Sequence, residues 1–287
     1  MIYTAIHGGL GNQMFQYAIA RSLSFYYKVP FKLDLVKMEN YNLREFSLDL
    51  LNVSANVANR SEVKKYHNSK YKDYLLRQLY RKNIKLTNKI FEKNEFQYNE
   101  IIFENSDVYL DGYWQSYKYF ENIRDILLEE FSLKSDFNLN NQSVLKNIKA
   151  SNSISIHIRR GDYLLNNTNR NLYCVYGIKY YFDAIAFLSK KIDNAHFFIF
   201  SDDLDWARKE IIIPNATFVD ANCKENFEND MFLMSKCKHN IIANSSFSWW
   251  GAYLGSGTGK VIVPPQWFGP KGPQDIQDLI PEKWMKI

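Results

Sequence analysis

The chain predicts an α/β protein of two facing Rossmann-like domains, each built on a parallel sheet, with bounds 1–135 and 150–287. Three observations predict it. Two runs of short apolar strand signals alternate with helix-period segments, a polar stretch separates the runs, and 287 residues suffice for two cores.

The first run opens with a strand at Ile2–His7, which has neither the basic start nor the long apolar run of a signal peptide. A glycine turn follows, then a helix pattern over Met14–Tyr27 and a strand over Phe31–Leu35. Beyond a basic segment, Val108–Tyr113 reads as a strand and Phe120–Phe131 as a helix. Ser132–Ser151 is polar: Asn138, Asn140, Asn141, Gln142, Ser143 and Asn147 mark it as the linker. In the second run strands fall at Ile154–Ile158, Phe197–Phe200, Thr217–Val219, Asn240–Ala243 and Val261–Val263. Helical patterns near Ile178–Ile192, Leu204–Ile211, Phe227–Cys237 and Phe247–Leu254 alternate with them, as a sheet covered on both faces requires.

Hydrophobic residues at 46% and charged residues at 23% fit a globular chain and exclude a disordered one. Aromatic residues at 16% read as large cores edged by tyrosine, with a lean towards sugar binding. No apolar stretch approaches the ~18 residues of a membrane span. Cys174, Cys223 and Cys237 form neither a CxxC pair nor an even disulfide set, which predicts a reducing cytoplasm. Charge is uneven: Arg60–Lys93 holds 11 Lys/Arg against three Asp/Glu, so the rest of a chain of net charge +5 is net negative. Tyr71, Tyr74, Leu75, Leu79 and Tyr80 there fall near helical spacing. Either a solvated helix packs one face on its own domain, or the segment makes peripheral contact with an anionic membrane surface on its cytoplasmic face.

Ligands of open parallel sheets bind at the carboxyl ends of strands. Three strand ends of the second run carry pointed chemistry: His157-Ile158-Arg159-Arg160-Gly161-Asp162-Tyr163, Ser201-Asp202-Asp203 and Asn244-Ser245-Ser246-Phe247-Ser248-Trp249-Trp250-Gly251. Arg159 and Arg160 suit an anionic ligand, since guanidinium pairs bidentately with phosphate; the alternative is two arginines bridging acids. Ser245, Ser246 and Ser248 lie at a helix start, where N–H groups and the dipole favour phosphate and where serine also caps. In the first run, Gly8-Gly9-Leu10-Gly11-Asn12-Gln13 resembles a dinucleotide turn, with Asp34 ending the next strand, but Met14 stands in place of the third glycine. Asp203 and Asp205 imitate a metal-holding DxD, although Asp there equally begins a helix, and no His/Cys spacing fits zinc. No metal is predicted.

These motifs, with Met14-Phe15-Gln16-Tyr17-Ala18 continuing the first and with Asp111-Gly112-Tyr113-Trp114-Gln115-Ser116 and Tyr119-Phe120, resemble the α-1,2-fucosyltransferases of glycosyltransferase family 11. The matches run from residue 8 to residue 251 and touch both halves. The resemblance implies a GT-B fold, GDP-β-L-fucose as donor substrate, no cofactor, and inverting transfer to the 2-hydroxyl of a galactose residue on an oligosaccharide or lipid-linked glycan. It makes 1–135 the acceptor side and 150–287 the GDP-sugar side. It puts Arg159 at the β-phosphate, Ser245, Ser246 and Ser248 near the diphosphate, and His157 and Asp202 on the guanosine side. Asn12 would reach diphosphate or acceptor; Gly9, Gly11, Gln13, Arg160, Asn244 and Phe247 complete the implied donor contacts.

Arg159 and the helix start at Ser245 would stabilise departing GDP. Asp162 is the proton acceptor, or else holds the arginines; His7 and Asp111 are alternatives. Three rival readings stand beside this one: a metal-dependent nucleotide-sugar transferase using Asp203 and Asp205, a nucleic-acid binder built on the basic segment, and an NAD-binding protein built on Gly9-Leu10-Gly11 and Asp34, against which the missing third glycine and the Arg159-Arg160 pair speak. The second lacks any RNA-binding signature, and no nucleic-acid partner is predicted.

Overall fold

The computed structural model describes residues 1–39, 43–84, 86–93, 95–164, 172, 174–222 and 226–287, the side chain of Asp162 excepted. Cys223 lies outside the described residues. The chain forms two compact units: Met1–Lys134 with Asp275–Ile280, and Ser135–Gln274 with Pro281–Ile287.

The first unit is a five-stranded sheet, all pairs parallel, in the order β3-β2-β1-β5-β4. Its strands are β1 (Ile2–Ala5), β2 (Phe31–Asp34), β3 (Asn56–Val57), β4 (Lys89–Phe91) and β5 (Val108–Asp111). Central β1 is buried at every residue, as a parallel strand covered on both faces must be. Helix α1 (Leu10–Tyr27) starts four residues before the apolar pattern predicts. The turn before it accounts for this: Gly8 takes a positive φ of 82°, cheap only for glycine, and Gly9 is the N-cap. Helix α2 (Lys70–Arg81) forms in the basic segment, with Ser69 accepting from the Lys72 N–H as its cap. The helix predicted over Phe120–Phe131 is broken. Two 3-10 turns, Tyr117–Tyr119 and Glu121–Ile123, precede α3 (Arg124–Glu130), because Phe120 leaves helical geometry at φ −140° and ψ 12°.

The second unit is a six-stranded parallel sheet in the order β11-β10-β9-β6-β7-β8. Its strands are β6 (Asn152–Ile158), β7 (Ala195–Ser201), β8 (Ala216–Phe218), β9 (His239–Ile241), β10 (Val261–Val263) and β11 (Met285–Lys286). Ile154, Ile156, Ile158, Phe197, Ile199, Ile241 and Ile262 form a core with Tyr181, Leu188 and Ala207. Its helices are α4 (Leu139–Lys149), α5 (Ile178–Ser189), α6 (Leu204–Glu210), α7 (Glu228–Lys236) and α8 (Ser246–Tyr253). Helix α4 occupies the stretch read as a linker. The asparagines that suggested a loop are its cap and its anchor: Asn138 accepts from the Asn141 N–H at 2.9 Å, and Asn141 exchanges amide hydrogen bonds with Asn222 at 2.9 and 3.0 Å.

Candidate active site

Because β9, β6 and β7 are neighbours, the segments that follow them emerge side by side at one sheet edge. The loop after β6 is shaped by Asp202 at the end of β7. Its carboxylate accepts from the Arg160 N–H at 2.9 Å and the Gly161 N–H at 3.1 Å, and pairs with the Arg159 guanidinium at 3.0 Å. A Cβ at Gly161 would lie 2.9 Å from the Asp202 carboxylate oxygen, so a larger residue there would displace that carboxylate. Asp202, implied as a guanosine contact, orients the arginine loop in this structure. Arg160 stacks on Trp206, 3.9 Å from its ring centre, and pairs with Asp203 at 3.3 Å. Asp203 also caps α6 through the Trp206 N–H at 3.2 Å. The first acid of the DxD is thus a cap and an ion-pair partner. Among the described residues no group of three His, Cys, Asp or Glu is arranged to hold a metal.

The one-turn helix Gly161–Leu164 ties this loop to the start of α8, since Tyr163 donates to the Asn244 carbonyl at 2.9 Å. Asn244 donates its own amide to the Trp267 carbonyl at 2.7 Å and is buried. Ser245 is the N-cap, accepting from the Phe247 N–H at 3.3 Å. Ser248 is fully buried and donates to backbone carbonyls of Ala243 and Ser245. Asn244 and Ser248 are buried and bonded to the framework; Ser246 and Phe247 are the partly exposed members of the motif. His157 is buried against Phe247, and burial, reinforced by the Arg159 charge, lowers it to about 3 and keeps it neutral. Its Nδ1 has no hydrogen-bond partner among the described residues. Phe227, half-exposed beside Phe247, was not singled out from the sequence because it read only as a helix start.

At the carboxyl edge of the first unit, Gly9 and buried Gly11 let α1 begin close to β1. Gln13 is fully buried: it donates to the Gly8 and Glu45 carbonyls at 2.8 Å and accepts from the Ser47 N–H at 2.9 Å. It fastens the loop from a buried position. Asn12 is partly exposed and accepts from Gln115 at 2.7 Å. Asp34, the acid of the dinucleotide-like pattern, accepts from Tyr109 and pairs with His67, both at 2.6 Å, and so is structural.

The alternative bases divide on electrostatics. Burial raises the Asp111 carboxyl, but Lys37, Lys89 and Arg77 outweigh it and hold the group well below the usual carboxylate range. Such a carboxylate is a poor proton acceptor. His7 is lowered to about 4 by burial and then by Lys37. Its Nδ1 accepts from Gln16 at 2.6 Å, so the neutral ring carries its proton on Nε2 and is a donor. The side chain of Asp162 lies outside the described residues. Sequence reasoning missed Glu92, just past β4, which burial pushes up to about 7 against the Tyr113 and Trp114 N–H groups. Those two bonds brace a turn in which Trp114 sits at φ 58°, strained for a bulky residue. Its signal, a carboxylate ending a strand, was hidden because β4 itself is three residues long in a charged segment.

A family model described as "Glycosyl transferase family 11" matches residues 1–287. An alpha-1,2-colitosyltransferase of Escherichia coli is 35% identical over 295 residues, covering 100% of this chain and 99% of its own. The O-antigen biosynthesis glycosyltransferase WbnK of Escherichia coli is 34% identical over 295 residues, covering 93% and 95%. The solved fucosyltransferase NodZ from Bradyrhizobium aligns with a TM-score of 0.50 at 14% identity, over 88% of this chain and 92% of that one. With two parallel-sheet α/β units, that likeness gives the fold as GT-B.

Proposed function

The chain belongs to glycosyl transferase family 11, and from that premise we propose that it moves L-fucose from GDP-β-L-fucose to the 2-hydroxyl of a galactose residue, with inversion. The observation that carries the reading is the pair Arg159 and Arg160, fixed after central β6 by Asp202, Asp203 and Trp206. Two oriented guanidiniums meet the charge that grows on a departing nucleoside diphosphate, and the start of α8 at Ser246 adds N–H donors. The reaction takes no metal or other cofactor. The acceptor is a galactose-bearing oligosaccharide, free or carried on a lipid.

The acceptor hydroxyl must lose a proton. Asp162 is the acceptor the motif assigns; Glu92, with its carboxyl near 7, is a second reading that the burial of that group favours. Turnover of Asp162→Asn and Glu92→Gln separates them, because the base variant alone loses the acidic limb of the rate profile.

Donor choice is the closest rival within the family. Colitose, for which the 35%-identical relative is named, is L-fucose without its 3-hydroxyl. A site that hydrogen-bonds that hydroxyl rejects the deoxy sugar strongly, whereas an apolar site cannot. The test is turnover with both GDP-sugars, alongside Arg159→Ala. We expect GDP-fucose to win and the variant to lose about 10²–10³ in turnover. Preference for GDP-colitose would replace the donor, and parental turnover in Arg159→Ala would remove the site.

A further inference from the structure

Helix α2 turns two different faces to two different surroundings. Leu76 and Tyr80 are buried, and Asp73 and Arg77 reach inward to Lys89 and Asp111. Turning 100° per residue, the opposite side carries Tyr71, Tyr74 and Leu75, which are 73%, 59% and 42% exposed. A surface helix normally shows polar groups there, so three neighbouring apolar side chains need an occupant. Ile84 and Leu86, just past the helix, are exposed as well.

Cations outnumber acids around this stripe, although exposed Asp107 also acts on Lys65. Lys64, Lys65, Lys70, Lys72, Arg81 and Lys82 are all exposed. The three acids of the segment are occupied elsewhere: Glu62 with Lys32, Asp73 with Lys89, and Glu92 with two backbone N–H groups. Among the described residues none of the six cations pairs with a carboxylate. Lys65 and Lys72 also converge on one cleft, where the Asn68 and Asn88 amides already donate to Asp73 and Asp107, so the two ammonium groups are what it offers a phosphate.

We infer that this face of the first unit docks on an anionic lipid surface, with Tyr71, Tyr74 and Leu75 entering the headgroup layer and the lysines meeting lipid phosphates. Tyrosine suits that depth because its ring is apolar and its hydroxyl stays wet. Charge complementarity selects anionic lipid over a protein of mixed charge. The inference stands apart from the choice of donor and acceptor.

Sedimentation with phosphatidylcholine vesicles, with and without phosphatidylglycerol, tests it. The protein should bind only the phosphatidylglycerol vesicles and be released by added salt. Lys64→Gln, Lys65→Gln, Lys70→Gln and Lys72→Gln together should weaken partitioning by on the order of fivefold per charge removed. Tyr71→Ser, Tyr74→Ser and Leu75→Ser together should also abolish binding, while an unchanged melting temperature shows that the fold survives. Failure of the parent to bind, or parental binding by the serine variant, overturns the inference. So would displacement by inorganic phosphate at constant ionic strength, which would make the cleft a free-phosphate site. A concentration-dependent dimer lost in the serine variant would assign the stripe to a second copy and overturn it too.

Discussion

Asp202 shows how one side chain sets the chemistry of another. Asn at this position keeps an oxygen for the Arg160 N–H, but puts an amide where the Gly161 N–H and Arg159 now find a carboxylate oxygen. Asp202→Asn should lose about 10²-fold in turnover through the displaced guanidinium, with a melting curve close to the parent's; steady-state kinetics beside thermal unfolding checks it. Glu92 gives a prediction in pH. Its carboxyl is raised in the fold, so it binds protons more tightly folded than unfolded. Its contribution to stability is present below its unfolded value and is lost as pH rises towards about 7. Chemical denaturation across that window should show stability falling with pH more steeply in the parent than in Glu92→Gln. Arg159 and Asn12 stand out in the sequence because charge and a glycine turn mark them, and the structure places both just past strands β6 and β1. The bonds of Gln13, Asn244 and Ser248 were not legible, because a motif gives residue type and spacing, not which carbonyl a buried side chain spends itself on.

At the scale of elements, the second unit was the more legible. β6, β7 and β10 are apolar runs with polar ends, and periodicity finds those. β3 and β11 hold two residues each and carry no pattern; they exist because a longer neighbour offers its edge. Helix α4 was hidden by its asparagines. Asn141 and Asn222 are both buried, and Asn222 also donates to Asp230 at 2.7 Å. Asn141→Ala should cost about 1–3 kcal/mol by stranding the Asn222 amide, read as a shift in urea midpoint without a change in slope. A neutral result would mean that α4 is held by apolar packing alone.

Across the whole molecule, the division into two units was visible in the two alternating runs, but the path of the C-terminus was not. Asp275–Ile280 belongs to the first unit, and the chain then ends as β11 in the second. The return rests on Asp278, which accepts from the Tyr98 N–H at 2.7 Å and pairs with Lys118 at 2.7 Å. Such long-range pairing leaves no local signature. The charge division, by contrast, could be counted directly, and the structure adds that the basic segment exposes apolar side chains among its cations. Among the described residues no helix is long and apolar enough to cross a membrane.

The central claim is fucosyl transfer by a family 11 enzyme, and one measurement reaches it most directly. GDP release from GDP-β-L-fucose is followed with β-galactoside acceptors in EDTA, and the product linkage is read by NMR. The account predicts acceptor-dependent release and an α-1,2-linked fucosyl galactoside. Release that stops in EDTA, or a product linked elsewhere than at the galactose 2-hydroxyl, would contradict it.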